Sequence, residues 1–223
     1  MKQKELPDFS YEKKVWRKGF RFVAGADEVG RGAFAGPLVA AAVVFPSSRV
    51  MREISPRRLV EMTAVRIDDS KKLTAKQREK AAEWVKKNAL AWGVGEVNVA
   101  TINRLGIVKA TQIAFRKAIK QCGNVDFLLV DAFYVPYTKG LRRKNQLAII
   151  KGDEKSISIA AASIIAKVYR DNLMSSLARS DLARLGAYRW DKNKGYGTRD
   201  HREAIRKHGI TRLHRKLFVK KAA

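Results

Sequence analysis

Four acidic side chains stand where apolar runs stop. Asp27 and Glu28 follow a run that begins at Phe20, Asp131 follows Phe127–Val130, and Asp153 follows Leu147–Ile150. Side chains at the strand ends of one sheet can meet in space although far apart in sequence. Oxygen donors gathered in this way repel one another unless cations sit between them, and Mg2+ and Mn2+ are hard ions suited to such ligands. The chain around them is strongly basic, with 47 Lys and Arg against 21 Asp and Glu and a net charge of +26 over 223 residues. An acidic spot in a basic field suits a protein that grips a polyanion with lysine and arginine and places hard cations at one point on it. The pattern points to metal-dependent chemistry on nucleic acid. Each acid also has a plainer reading: an Asp after an apolar strand is commonly a loop residue, and Asp153 can serve as an ordinary N-cap for the helix that follows.

Composition narrows the class. Hydrophobic residues make up 46% and aromatics 9%, enough for a folded core and too many for a basic disordered tail. A non-catalytic RNA- or ribosome-binding protein would share the charge, but it gives no reason for carboxylates at three strand ends. Cys122 is the single cysteine, so neither an internal disulfide nor a cysteine-based zinc site can form. The first 21 residues are polar and charged, without the apolar stretch of a secretory signal. Leu38–Phe45 is far too short to cross a bilayer. The expectation is a soluble, cytoplasmic monomer.

Alternation and helical periodicity outline the elements that must carry these acids. Residues 1–20 read as a mobile or helical lead-in. Phe20–Asp27 and Leu38–Phe45 read as neighbouring strands, the second buried on both faces because it hardly alternates. Helical potential lies around Arg57–Met62. Thr74 is an N-cap for a helix to about Asn88, Trp92–Val99 a third strand, and Thr101–Gln121 an amphipathic helix stopped by Gly123. Phe127–Val130 and Leu147–Ile150 are short strands, and Glu154–Ala178 is a helix apolar on nearly every side. Strands alternating with long helices give an α/β fold with a mixed sheet. The expected division is a lead-in at 1–20, a catalytic core at 21–178 and a basic helical segment at 179–223.

The residues Val23-Ala24-Gly25-Ala26-Asp27-Glu28-Val29-Gly30-Arg31-Gly32 and Ala35-Gly36-Pro37 closely resemble the opening motif of bacterial ribonuclease HII. The resemblance continues through Asp69-Ser70-Lys71-Lys72-Leu73, Leu128-Leu129-Val130-Asp131 and Lys151-Gly152-Asp153. It runs on through Ser156–Val168, Arg170-Asp171, Lys194-Gly195-Tyr196-Gly197-Thr198, His201 and His214-Arg215 to Phe218. The ordered set spans about residues 22–218. It implies a ribonuclease H-like fold: a mixed central β-sheet flanked by helices, with a basic helical C-terminal segment.

The implied activity is cleavage of RNA within RNA–DNA hybrids and at single ribonucleotides in duplex DNA. Asp27, Glu28, Asp131 and Asp153 would be the catalytic carboxylates and hold two divalent ions, Mg2+ or Mn2+, about the scissile phosphate. The products would be 5′-phosphate and 3′-hydroxyl ends. Gly30, Arg31 and Gly32 would approach the sugar and test for a 2′-hydroxyl, and Tyr196 would press on the adjoining deoxyribose. Lys71, Lys72, Lys151, Lys167 and Arg170 are candidate phosphate contacts. Asp171, His201 and His214 are read as structural. Asn103-Arg104-Leu105-Gly106 departs from the family's usual Asp-Arg-Leu-Asn. The Asp131–Asp153 connection and residues 179–193 look longer than is typical for the family. No clamp-binding tail is visible at Lys220-Lys221-Ala222-Ala223.

Overall fold

Leu38–Val44 is buried along its whole length, and its side chains alternate between two cores. Leu38, Ala40, Ala42 and Val44 enter one, while Val39, Ala41, Val43 and the following Phe45 enter the other. A strand with apolar groups on both faces needs a layer on each side. The computed structural model, which describes residues 6–47 and 65–220, provides both layers. The helical potential around Arg57–Met62 lies outside the described residues.

Five strands form one mixed sheet in the order β3-β2-β1-β4-β5. They are β1 (Val23–Val29), β2 (Leu38–Val44), β3 (Ala91–Val97), β4 (Phe127–Asp131) and β5 (Gln146–Ile149). β1, β2 and β3 run antiparallel, whereas β1, β4 and β5 run parallel. Besides helix α1 (Ser10–Trp16), three long helices cover the faces: α2 (Ala75–Asn88), α3 (Val99–Gln121) and α4 (Ile157–Ser180). α3 covers one face with Ala110, Ala114, Phe115 and Ala118. α4 and α2 cover the other with Ile164, Ile165, Ala81 and Val85.

Local chemistry sets several boundaries. Thr74 and Gln77 make a reciprocal capping box on α2, and Asn98 caps α3 through the amide of Thr101. α3 therefore begins two residues before the expected Thr101, and Gly106 interrupts its dihedrals at φ 78°. α4 begins at Ile157, capped by Ser156. Asp153 sits in a separate 3₁₀ turn and is not the cap.

α1 docks on the start of α4. Buried Glu12 accepts bonds from Ser156 Oγ at 2.6 Å, from the Ser158 amide at 3.0 Å and from the Ser158 hydroxyl. After α4 the chain forms short helices and α5 (Arg199–His208). They enclose a small core of Met174, Leu185, Tyr188, Trp190 and Ala204 that also takes Ala35 from the β1–β2 loop. Among the described residues, no helix is long and apolar enough to cross a membrane.

Candidate active site

β1 does not end before its acids. It runs to Val29, and Asp27 and Glu28 pair with Ala41 and Ala40 of β2. The parallel ladder with β4 is registered only as far as Ala26 and Val130. The two acids thus lie inside one ladder and just past the end of the other, at the carboxyl end of the parallel strands, where open α/β sheets place their sites. Alternation turns them to opposite faces. Ala24 and Ala26 face α3, so Glu28 shares their side, while Asp27 faces α4 and is hydrogen-bonded by Ser163 there.

Asp131 closes β4 and accepts a bond at 2.8 Å from the amide of Gly152. This bond joins the end of β4 to the turn that carries Asp153. Asp153 and Asp27 are each 6% exposed. Burial lifts the Asp27 carboxyl well above its usual range; Glu28, Asp131 and Asp153 lift it further, and Ser163 opposes them. Glu28 rises to about 7, through burial against the opposing charge of Arg31 and with the help of Asp131. Asp153 is raised by burial, then by Asp69, against the pull of Lys71. All four candidate carboxylates therefore share one electrostatic neighbourhood.

Lys71 faces that neighbourhood. Its ammonium lies 3.7 Å from Asp153 Oδ2. Burial works to lower its pKa, but Asp153, Asp69, Asp27 and Asp131 outweigh it and raise it. Among the described residues, no group of three His, Cys, Asp or Glu side chains is placed to hold a metal ion. Asp27 Oδ1 instead accepts from the Glu28 amide at 2.8 Å, and Asp131 is occupied with Gly152. The donor set nevertheless suits a hard dication. It offers carboxylate oxygens, those of Asp27 and Asp153 nearly dehydrated, and bound positive charge would offset the burial and like-charge repulsion that raise Asp27, Glu28 and Asp153.

Two buried arginines shape the turn after β1. Arg215 and Arg170 are both fully buried, and every bond they donate goes to a backbone carbonyl. Arg215 reaches Gly30 at 2.6 Å, Arg31 at 3.1 Å and Gly36 at 2.9 and 3.1 Å. Arg170 reaches Pro37 at 3.0 Å, Ala35 at 3.2 Å and Lys194 at 2.9 Å. Gly30 stands at φ 88°, and a Cβ there would run into the Arg170 side chain. A Cβ on Gly32 would meet nothing within 4 Å, so the outer side of the turn is open. Burial, then the charge of Arg170, brings Arg215 down to about 9.

The tyrosine loop is laced to the same frame. Gly195 O accepts from the amides of Phe34 and Ala35 at 2.8 and 3.1 Å. The half-buried Tyr196 ring lies 5.3 Å from the Arg170 guanidinium and 5.9 Å from Lys167 Nζ. His201 and His214 sit in the small C-terminal core with their Nε2 atoms 3.2 Å apart. Trp190 Nε1 donates to His201 Nε2 at 3.1 Å, and Thr211 N donates to His214 Nδ1 at 2.9 Å. The network assigns two neutral rings, with His201 Nδ1–H donating to the Tyr196 carbonyl at 2.9 Å. Burial lowers both, His214 to about 4 with the added effect of His201.

The expected phosphate contacts divide. Arg170 is not one, because its guanidinium is spent on carbonyls in the interior. Lys167 pairs with Asp171 at 2.8 Å, and Lys72 with Asp68 and Glu154 at 3.3 and 3.5 Å. Lys71 and Lys151 remain exposed beside the carboxylates. Sequence reasoning overlooked Arg215 as the support of the glycine turn, Ser163 as the partner of Asp27, and Asp69 as a further buried acid. Asp69 and Arg215 stand in the recognised motifs, but no local pattern states which distant groups they meet.

The family model described as Ribonuclease HII matches residues 24–221. Ribonuclease HII of Caldanaerobacter subterraneus is 43% identical over 212 residues, which cover 95% of this chain and 79% of that protein. Ribonuclease HII of Bacillus subtilis is 44% identical over 211 residues, covering 94% and 74%. Among solved structures, the PCNA:RNase HII complex from Archaeoglobus fulgidus contains a similar chain. The TM-score is 0.67 at 27% identity, covering 87% of this chain and 93% of that one.

Proposed function

The chain belongs to the ribonuclease HII family, and on that premise we propose that it cuts the RNA strand of RNA–DNA hybrids and also incises 5′ of single ribonucleotides in duplex DNA, with Asp27, Glu28, Asp131 and Asp153 as its catalytic carboxylates. The family makes it a ribonuclease H of type 2, a metal-dependent endonuclease. The observation that carries the residue assignment is the mutual electrostatic burden of the four carboxylates at one end of the sheet. Such repulsion costs folding free energy, and a cation-binding role accounts for its presence in a chain of net charge +26.

When bound, two Mg2+ or Mn2+ ions held by these carboxylates would activate water and neutralise charge on the leaving 3′-oxygen. The chain's own residues then have separable tasks. Asp131 ties the Asp153 turn to β4 through the Gly152 amide. Ser163 orients Asp27. Lys71 and Lys151 offer positive charge to the phosphates beside the cut. The open outer side of Gly32 leaves room for a ribose, and Arg215 fixes the backbone that meets it. The Tyr196 ring, backed by Arg170, would meet the neighbouring deoxyribose. Cleavage would leave 5′-phosphate and 3′-hydroxyl ends.

The test uses three labelled substrates with and without Mg2+: an RNA–DNA hybrid, a DNA duplex with one ribonucleotide, and an all-DNA duplex. The first two should be cut only with Mg2+, the second on the 5′ side of the ribonucleotide. Cleavage of the all-DNA duplex would point instead to a nuclease without 2′-hydroxyl recognition. Intact substrates throughout would point to a non-catalytic binder.

A further inference from the structure

We propose that the loop joining β4 to β5, residues 132–145, is a second nucleic-acid contact that holds an unpaired strand next to the hybrid; the inference rests on the hybrid-cleaving reading above. The loop leaves β4 directly after Asp131 and first runs against the glycine turn, where the Arg31 guanidinium lies 5.1 Å from the centre of the Phe133 ring. It then carries Lys139, Arg142, Arg143 and Lys144 and no acid. All four cations are exposed. The ion pairs among the described residues involve none of them.

Two tyrosines are set among these charges. Tyr134 is 40% exposed, and Arg143 lies 4.7 Å from its ring centre. Tyr137 is 91% exposed and stands at φ 57°, a left-handed backbone that bulky residues rarely adopt. The loop that presents it is anchored. Buried Gln146 donates to the carbonyls of Val135 and Leu141 at 2.9 and 3.1 Å and accepts from the Val135 amide at 2.9 Å. Arg116 of α3 donates to the Pro136 carbonyl at 3.2 Å. A groove of about 530 Å³ runs beside the loop, lined by Tyr137 and Lys139 on one side and by Arg116 and Lys120 on the other.

An aromatic face left in water on an anchored loop that also carries exposed cations outside any described ion pair complements a ligand with both phosphates and free base faces. A duplex offers the phosphates but hides its bases in the stack, whereas an unpaired strand offers both. Continuity from Phe133 and Arg31 places this surface next to the proposed recognition turn. It can therefore engage a strand that continues beyond the hybrid being cut.

The test measures binding of the intact protein by fluorescence anisotropy in EDTA, so that no strand is cut. Substrates are a blunt hybrid and the same hybrid with an oligothymidine tail of roughly 15 nucleotides on each strand end in turn. One tail position should tighten binding about tenfold, the scale of one base stacked on an aromatic ring. Tyr137→Asn, which suits the left-handed backbone, should abolish that gain while blunt-hybrid cleavage in Mg2+ stays unchanged. Arg142→Gln with Lys144→Gln should reduce it. If the blunt hybrid is bound and cut but no tail tightens binding, or if the gain survives Tyr137→Asn, the proposal is wrong although the hybrid-cleaving reading stands. Should the blunt hybrid not be cut at all, that reading fails, and oligothymidine alone decides the loop: binding that depends on Tyr137 upholds the contact, and none removes it.

Discussion

Arg215 Nη1 stands 2.6 Å from the carbonyl oxygen of Gly30, 185 positions away in the chain. The guanidinium that makes this bond donates only to carbonyls, and it also lies 5.6 Å from the centre of the Phe218 ring. The planar fork makes four bonds to the carbonyls of Gly30, Arg31 and Gly36, whereas an ammonium has three donors on one nitrogen and cannot reproduce that spread. Arg215→Lys should therefore destabilise the protein by on the order of 3 kcal/mol, the scale of one or two buried acceptors left unpaired. It should also raise KM for a single-ribonucleotide duplex more than it lowers kcat. Urea titration and steady-state kinetics check both, and an unchanged KM would separate Arg215 from the recognition turn.

Asp131→Asn keeps an oxygen for the Gly152 amide but removes one charge from the cluster. Turnover should vanish while hybrid binding persists. In EDTA the variant should be more stable than the wild type by about 1 kcal/mol, the scale of one close like-charge contact in a well-solvated setting. Stabilisation by added Mg2+ should shrink. Melting curves with and without Mg2+ give the answer, and full activity would remove Asp131 from the site.

His214 titrates near 4 in the folded protein and near 6.5 when unfolded. Its contribution is thus present above pH 6.5 and is lost as pH falls towards 4, because only the unfolded chain takes up the proton readily. Glu28 has the opposite slope: its pKa rises from 4.5 to about 7, so its contribution is present below 4.5 and lost as pH rises through 7. The two overlap, so a single stability curve cannot separate them. His214→Asn retains an acceptor near Nδ1 and isolates the first effect. The stability gap between wild type and variant should narrow by up to about 3 kcal/mol between pH 7.5 and 4, and a constant gap would contradict the buried neutral ring.

Tyr196→Ala should lower kcat/KM at a single embedded ribonucleotide by roughly tenfold or more, the scale of a 1–2 kcal/mol contact. The melting temperature should change little, because the ring is only half-buried. Tyr196→Phe retains the face over Arg170 and should keep most of the activity. Equal kinetics for Tyr196→Ala and wild type would reduce the ring to a packing element.

Gly25→Ala tests the seating of α4 on β1. A Cβ at Gly25 would overlap the Ser158 carbonyl carbon and Ile159 nitrogen. These are backbone atoms that cannot turn aside, so a loss of about 3 kcal/mol or more is expected. Denaturant titration of this variant, set beside Gly32→Ala at an open position, distinguishes packing from glycine content.

Much of the frame is written in short-range pattern. The two-sided burial of Leu38–Val44, the N-cap at Thr74, and the apolar girth of α4 each depend on side chains within a few positions of one another, and all could be read in advance. The basic field and the recognised motifs likewise named Asp27, Glu28, Asp131 and Asp153 without coordinates. Tertiary structure decided the rest. β1 continues through Asp27 and Glu28 because β2 supplies a second ladder after β4 stops. Ser156 caps α4 in place of Asp153. Arg170, which looks like a phosphate contact, lies inside the protein. The physical reason is common to all three: hydrogen-bond partners and burial are set by which distant segments arrive alongside, and a guanidinium reads the same in the chain whether phosphates or carbonyls await it.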